Sequence, residues 1–204
     1  MTGRAQLPSW YDDLDGTLAA CWNFLARGVA DRRSGFHHPV LSSIGLDGAP
    51  RSRVMILRGV DIAARSLRVH TDLRSEKIAE WRADNRVSVL GYDAGQKLQI
   101  RLTGRVRLHA DDAIAEAAWQ SSRAMSRVCY GTAPAPGSEI PAGDAFALPH
   151  SDNAEALEAG RAHFAAVVID VASLESLYLA FEGHRRARFS WDAGGALTAR
   201  WLAP

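Results

Sequence analysis

The chain has 204 residues, of which 47% are hydrophobic and 23% charged, and its 24 basic against 23 acidic side chains leave a formal charge of +1. A chain of this length buries roughly 70% of its unfolded surface, so a single folded unit over residues 1–204 needs no disulfide or metal staple. The balanced charge gives no global pull toward nucleic acid or an anionic membrane. Of the 24 basic residues 22 are arginine, Lys77 and Lys97 being the only lysines, so nearly every cationic contact is made by a planar, forked donor. The two cysteines, Cys21 and Cys129, are too few for a disulfide framework or a four-thiolate zinc site. Both are expected to be reduced core residues of a cytoplasmic protein. The first residues lack the apolar centre of a signal peptide, and no run approaches the roughly 18 apolar residues of a membrane span.

In chain order, Leu18, Cys21, Trp22, Leu25 and Val29 share one face of a helix over residues 15–31, with Asp15 or Thr17 as its cap. Strand texture begins after His38. Val40–Gly45 and Arg53–Val60 flank Leu46-Asp47-Gly48-Ala49-Pro50, whose Asp-Gly pair predicts a hairpin. Ser66–Thr71 reads as a strand and Ser75–Asn85 as a short helix. Arg86–Asp93 and Lys97–His109 form the next strand pair. In the second of these, Ile100, Leu102, Val106 and Leu108 alternate with Arg101, Thr103, Arg105 and Arg107, giving one apolar and one basic face.

Asp111–Arg123 reads as a helix with two aspartates at its positive end. Residues 132–150 hold Pro134, Pro136, Pro141 and Pro149 and predict an irregular loop. A short helix at Asn153–Ala159 precedes strands at Phe164–Val171 and Ser176–Leu179. A closing hairpin, Arg186–Trp191 and Ala196–Trp201, turns at Asp192-Ala193-Gly194-Gly195. Strands in hairpin order with few helices predict a mainly β protein, an antiparallel barrel with added helices.

The familiar catalytic signatures are missing. There is no Gly-x-Ser-x-Gly elbow, no Gly-x-Gly-x-x-Gly after a strand and no phosphate loop ending in Gly-Lys-Ser/Thr. His37-His38 has no further ligand at metal-binding spacing, so no metal site is expected. What remains is dispersed: an arginine at each end of Arg53-Val54-Met55-Ile56-Leu57-Arg58, His70-Thr71 ending a strand, and Ser75-Glu76-Lys77 opening a helix. Gln99-Ile100-Arg101 lies on the long strand, and Gln120-Ser121-Ser122-Arg123 closes a later helix. Arginine forks, a lysine, hydroxyls and amides at a helix start are what an anionic ligand requires.

In this order the motifs resemble the pyridoxamine 5'-phosphate oxidase family of FMN proteins, from about Pro39 to Pro204. His184-Arg185-Arg186-Ala187-Arg188-Phe189 and Trp201-Leu202-Ala203-Pro204 are similar to that family's C-terminal region. The resemblance implies a split antiparallel β-barrel, a homodimer with FMN at the subunit interface, and an FMN-dependent oxidoreductase that moves a hydride from a small substrate to flavin N5. It also implies residue roles. Arg53 and Lys77 hold the FMN phosphate with Ser75, Thr71 and the adjoining His70, and Val54, Met55, Ile56, Leu57 and Gln99 border the flavin ring. Gln120 and Ser121 reach the cofactor from the partner subunit; Tyr178 and Arg188 stand near the ring, and Arg58 ends the strand. Arg53, Arg58, Lys77, Arg123 and Arg188 are expected to gather around one small dianion. His184 and Arg186 are the expected substrate contacts. The chain departs from the family at Glu76, where a second basic residue is usual, and at His184-Arg185-Arg186, where the family's oxidases carry Arg-x-His. It also lacks a tyrosine and an arginine in the helix before Gln120. No partner other than a second copy and a small molecule is implied; the alternative readings are a pyridoxamine/pyridoxine 5'-phosphate oxidase proper and a flavin- or haem-binding protein of the same fold without turnover.

Overall fold

The computed structural model describes residues 6–150 and 152–204. Helix α1 spans Leu14–Ala30. Asp13 caps it, rather than Asp15 or Thr17. A cap must stand outside the helix with extended backbone, as Asp13 does at φ −119 and ψ 119. Its carboxylate accepts from the amides of Asp15 and Gly16, both at 3.1 Å. Cys21, Trp22 and Leu25, on the predicted face, are buried against the sheet.

Nine strands follow: β1 (Val40–Ile44), β2 (Pro50–Val54), β3 (Gly59–Asp61), β4 (Ser66–Asp72), β5 (Arg86–Asp93), β6 (Leu98–His109), β7 (Phe164–Tyr178), β8 (Arg185–Trp191) and β9 (Leu197–Leu202). They form one antiparallel sheet in the order β2-β1-β5-β6-β7-β4-β3, with β8 added to β7 and β9 to β8. The Asp-Gly hairpin forms as predicted, with Gly48 at φ +79, a conformation open to glycine without strain. The alternation on β6 is real: Ile100, Leu102 and Val106 are buried while Arg101, Arg105 and Arg107 face out.

Two strand predictions change. The strand expected over Arg53–Val60 leaves its ladder after Val54 and resumes at Gly59, because Met55 and Leu57 turn their amides to the carbonyls of Pro39 and His37, at 2.9 Å each. The two strands expected at Phe164–Val171 and Ser176–Leu179 are one strand, β7. Its first half pairs with β4 and its second with β8, while β6 runs along nearly its whole length. The register shifts between Thr103 and Gly104, leaving Ala172 without a partner on β6. Such a bulge bends a strand and sharpens its twist, and here it separates the two halves of the sheet. Gly104 is required there, since a Cβ would stand 2.2 Å from the Asp170 carbonyl oxygen.

Helix α2 (Glu76–Ala83) packs Ile78 and Trp81 into the core. The helix predicted over Asp111–Arg123 is shorter, α3 (Ala113–Gln120), because Asp112 caps it and Ser122 closes it on the Trp119 carbonyl. Then come a four-residue helix, α4 (Ala124–Arg127), and a single 3-10 turn, Val128–Gly131. A second small core of Ala118, Trp119, Phe164 and Ala166, with Tyr130 against it, fixes these pieces to β7. Within the turn Val128 points inward, so Cys129 faces out; the expectation of a core cysteine holds for Cys21 alone. Residues 132–150 form no helix or strand, as predicted, and α5 (Ala154–Arg161) follows with Asn153 as its cap. Among the described residues no helix is long and apolar enough to cross a membrane.

Candidate functional site

A cleft of about 460 Å³ opens where the segment after β2, the end of β4 and the start of α2 meet α4 and the 3-10 turn. Val54, Met55, Ile56, Arg58, His70, Thr71, Ser75 and Lys77 line it, together with Asp72, Met125, Cys129 and Tyr130. One wall follows from strand periodicity. Met55 and Leu57 are buried, so Val54 and Ile56 face outward, 61% and 38% exposed. The Met55 and Leu57 amides are spent on Pro39 and His37, while the Ile56 amide between them has no partner among the described residues. An apolar edge with a free N–H is a fitting border for a flat, heteroatom-rich ring.

The other end is built for an oxyanion. Ser75 has the backbone of an N-cap but caps nothing: its hydroxyl is buried and unpartnered at the mouth of α2. Lys77 Nζ sits 3.3 Å from Thr71 Oγ1. Burial pushes the Lys77 ammonium below its usual range, and the nearby Arg53 adds to this; Asp72, Glu80 and Glu76 pull the other way. An incoming anion relieves both strains. The Asp72 carboxylate beside it is held by Arg74 at 2.7 Å, and Arg74 also donates to the Thr132 carbonyl at 2.9 Å, pinning the start of the irregular loop. Glu76 is exposed and does not line the cleft. Lys77, Ser75, Thr71 and the first amides of α2 form a donor set whose chemistry fits a phosphate group.

The cleft shares Arg58, His70 and Ser126 with an adjoining recess of about 280 Å³. Arg32, Arg58, Arg68 and Arg123 line that recess with Ser121 and Ser122, and none of the four arginines is ion-paired among the described residues. Several other arginines of the sheet are matched with carboxylates, as Arg107 is with Asp170. Here Arg68 Nε and His70 Nε2 are buried without partners. Burial first, then the charges of Arg68 and Arg58, hold His70 down at about 3, so its ring is neutral at ordinary pH.

That shift carries a pH prediction. An unfolded histidine binds its proton near 6.5, whereas folded His70 refuses it until about 3. The stability due to a neutral His70 is thus whole above pH 6.5 and is lost as the pH falls toward 3, by up to about 1.4 kcal/mol per pH unit. Urea unfolding of the wild type should weaken along that slope, and His70→Gln should flatten it; parallel slopes would contradict the assignment.

The other expected site residues are not gathered in this cleft. Arg53 is not among the lining residues and is bound to Glu80 at 2.8 Å. Leu57 is fully buried in the core. Gln99 sits on β6 between Tyr92 and Leu177. Gln120 is exposed and bonded to Glu116, and Ser121 lines the recess. Tyr178 packs edge-on against Trp10, centroids 5.1 Å apart. Arg186 and Arg188 each grip Glu175 with two nitrogens, Arg101 adds a third guanidinium at 2.8 Å, and His184 Nδ1 accepts from the Ala180 amide. The five-cation cluster is therefore divided: Arg58 and Lys77 in the cleft, Arg53 paired with Glu80, Arg123 in the recess and Arg188 on β8 against Glu175. Sequence reading missed Arg68, Arg74 and Glu80; Arg68 and His70, two apart on β4, share one strand face, which a period-two count could have found.

Residues 19–110 match the family model described as pyridoxamine 5'-phosphate oxidase, FMN-binding domain. Over 133 residues the chain is 31% identical to pyridoxine/pyridoxamine 5'-phosphate oxidase 2 of Arabidopsis thaliana, covering 60% of this chain and 67% of that protein. The chain belongs to the pyridoxamine 5'-phosphate oxidase family. FMN is the cofactor of that family's domain. A pyridoxine/pyridoxamine 5'-phosphate oxidase of Cupriavidus pinatubonensis is 32% identical over 72 residues, 35% of this chain and 33% of that protein. The family's split-barrel fold is evident in two solved structures, each 20% identical and covering 98% of this chain and 99% of theirs. One, with a TM-score of 0.70, is a pyridoxamine 5'-phosphate oxidase-related, FMN-binding protein of Nostoc punctiforme. The other, at 0.71, is PhzG of Burkholderia lata in complex with tetrahydrophenazine-1-carboxylic acid.

Proposed function

We propose that the protein is an FMN-dependent oxidoreductase whose substrate is a small molecule carrying a phosphate or carboxylate. The observation that carries this reading is the continuity of two anion-seeking sites: the Lys77–Ser75 end of the cleft and the unpaired arginines of the recess beside it. The first suits the phosphate of the cofactor. The second lies past Arg58, beyond the apolar edge of Val54 and Ile56, where a substrate laid against the ring would present its own anionic group. FMN supplies the redox chemistry when bound, taking up a hydride from a substrate carbon. The chain's own residues bind, orient and neutralise: Arg58, Arg68 and Arg123 hold the substrate's charge, and neutral His70 offers a ring nitrogen without adding to the cationic load.

The working unit is a homodimer. A second copy brings Gln120, Ser121, Tyr178 and Arg188 to the cofactor and His184 and Arg186 to the substrate, residues that one protomer keeps out of its own cleft. An apolar trough of about 500 Å³ over β1, β5 and β6, edged by Ile44, Pro50, Val87 and Ala172, supports burial of that face. The visible spectrum of the purified protein tests the reading. An oxidised-flavin spectrum, with FMN as the chromophore released on denaturation, is the expected result. A colourless protein that takes up no added FMN would refute it.

A further inference from the structure

Glu80 is 1% exposed, the most deeply buried acidic residue described. It lies one turn after Lys77 on α2, and its Oε2 accepts from Ser43 Oγ at 2.5 Å and from Arg53 Nη2 at 2.8 Å. Arg53 Nη1 donates to the same Ser43 hydroxyl at 2.5 Å, closing a ring of three bonds, and reaches the Leu41 carbonyl at 3.5 Å. A guanidinium has five N–H donors, so Arg53 Nε–H and one Nη2–H remain unused. The arginine that the family resemblance assigns to the cofactor phosphate is thus already held by an anion belonging to the chain.

We propose that Glu80 is an internal counter-ion that competes with the flavin phosphate for Arg53 and so sets how strongly this protein prefers FMN over phosphate-free flavin. The inference rests on FMN being the ligand of the cleft. Without flavin, Arg53 and Lys77 are neighbouring cations, and the Glu80 carboxylate relieves their repulsion. Once a phosphate dianion arrives, the same carboxylate is a like charge behind it, and it also withholds Arg53. The two effects act in one direction. Glu80 steadies the empty protein and weakens its grip on phosphate.

Glu80→Gln separates this role from others, because glutamine keeps the size and an acceptor for Arg53 while removing the charge. Affinities for FMN and riboflavin are measured by quenching of flavin fluorescence. FMN should bind about tenfold tighter to E80Q than to the wild type and riboflavin within about twofold, with the gain fading at high salt. The flavin-free variant should unfold earlier, since Arg53 has lost its partner. Weaker FMN binding, which a purely positioning Glu80 would give, overturns the proposal. So does an equal change for both flavins, as a merely structural residue would produce. Should E80Q not fold, the pair variant Arg53→Met with Glu80→Met keeps an apolar match in place of the ion pair. Its preference for FMN over riboflavin should fall about tenfold below the wild type; an unchanged preference would mean that Arg53 never reaches the phosphate. Wild-type protein that binds neither flavin overturns the cofactor reading and this inference together, whereas wild type that prefers FMN with E80Q unchanged overturns this inference alone.

Discussion

Lys77→Met is expected to weaken FMN binding by roughly 30- to 100-fold while leaving riboflavin binding unchanged. Among the described residues Lys77 is the cation beside Ser75 and Thr71 in the cleft lining, and Arg53 is engaged with Glu80. A hydrogen bond to a charged group contributes about 1.5–3 kcal/mol, more than a neutral one, and its loss here leaves a dianion facing Ser75, Thr71 and helix amides alone. Methionine preserves the half-buried stem, so the fold should be intact. The paired flavins isolate the phosphate: a defect in packing would weaken both, and a K77M protein that still prefers FMN as the wild type does would show that the phosphate lies elsewhere. The yellow colour of the purified variant provides a second reading.

The double substitution Arg68→Met and Arg123→Met should raise the dissociation constant of an anionic substrate by about a hundredfold in FMN-loaded protein. Each unpaired guanidinium offers a charge-assisted bond, and two of them lost together amount to about 3 kcal/mol or more. Arg123 is exposed and Arg68 half-buried without an ion pair, so neither removal strands a carboxylate. Pyridoxamine 5'-phosphate and pyridoxamine serve as probes, with binding followed by calorimetry. The phosphate ester should lose its advantage over the free alcohol in the double variant, while FMN affinity changes by less than about threefold. Equal binding of the two compounds to the wild type would remove the recess from the substrate site. A variant that binds the ester as the wild type does would have the same meaning.

Much of the sheet was legible because its signals are local. The Asp47-Gly48 turn, the Gly194-Gly195 turn and the alternation along β6 each lie within one hairpin, where side-chain period and turn chemistry decide the structure. The continuity of β7 was not legible. Ser173 and Glu175 break its apolar run, and what carries the strand through them is pairing with β6, some 70 residues earlier, as in Arg101 to Glu175. The cleft divides in the same way. Val54, Met55, Ile56, Arg58, His70, Thr71, Ser75 and Lys77 come together because a strand edge and a helix start place them side by side, while Leu57 turns into the core and Glu76 out to solvent. Gln99, Gln120, Tyr178 and Arg188 were assigned through resemblance, and no spacing within one chain brings them to the same cavity. Glu80 was invisible because a buried acid four residues after a helix start looks, in sequence, like an ordinary solvated position.

The pairing of β6 with β7 also bears on how the molecule comes to exist. Hairpins β1–β2, β5–β6 and β8–β9 close short loops and can form early, but the two longest strands meet only after the segment 110–163 between them has been gathered in. Loop closure of that kind opposes assembly before any contact rewards it, which places folding in the slow regime of non-local β topologies, milliseconds to seconds. His70 and Thr71 take their places only when β4 lays itself along β7, so this part of the cleft depends on a non-local pairing as well. A ligand that binds only the assembled cleft stabilises the barrel by an amount that rises with its free concentration over its dissociation constant.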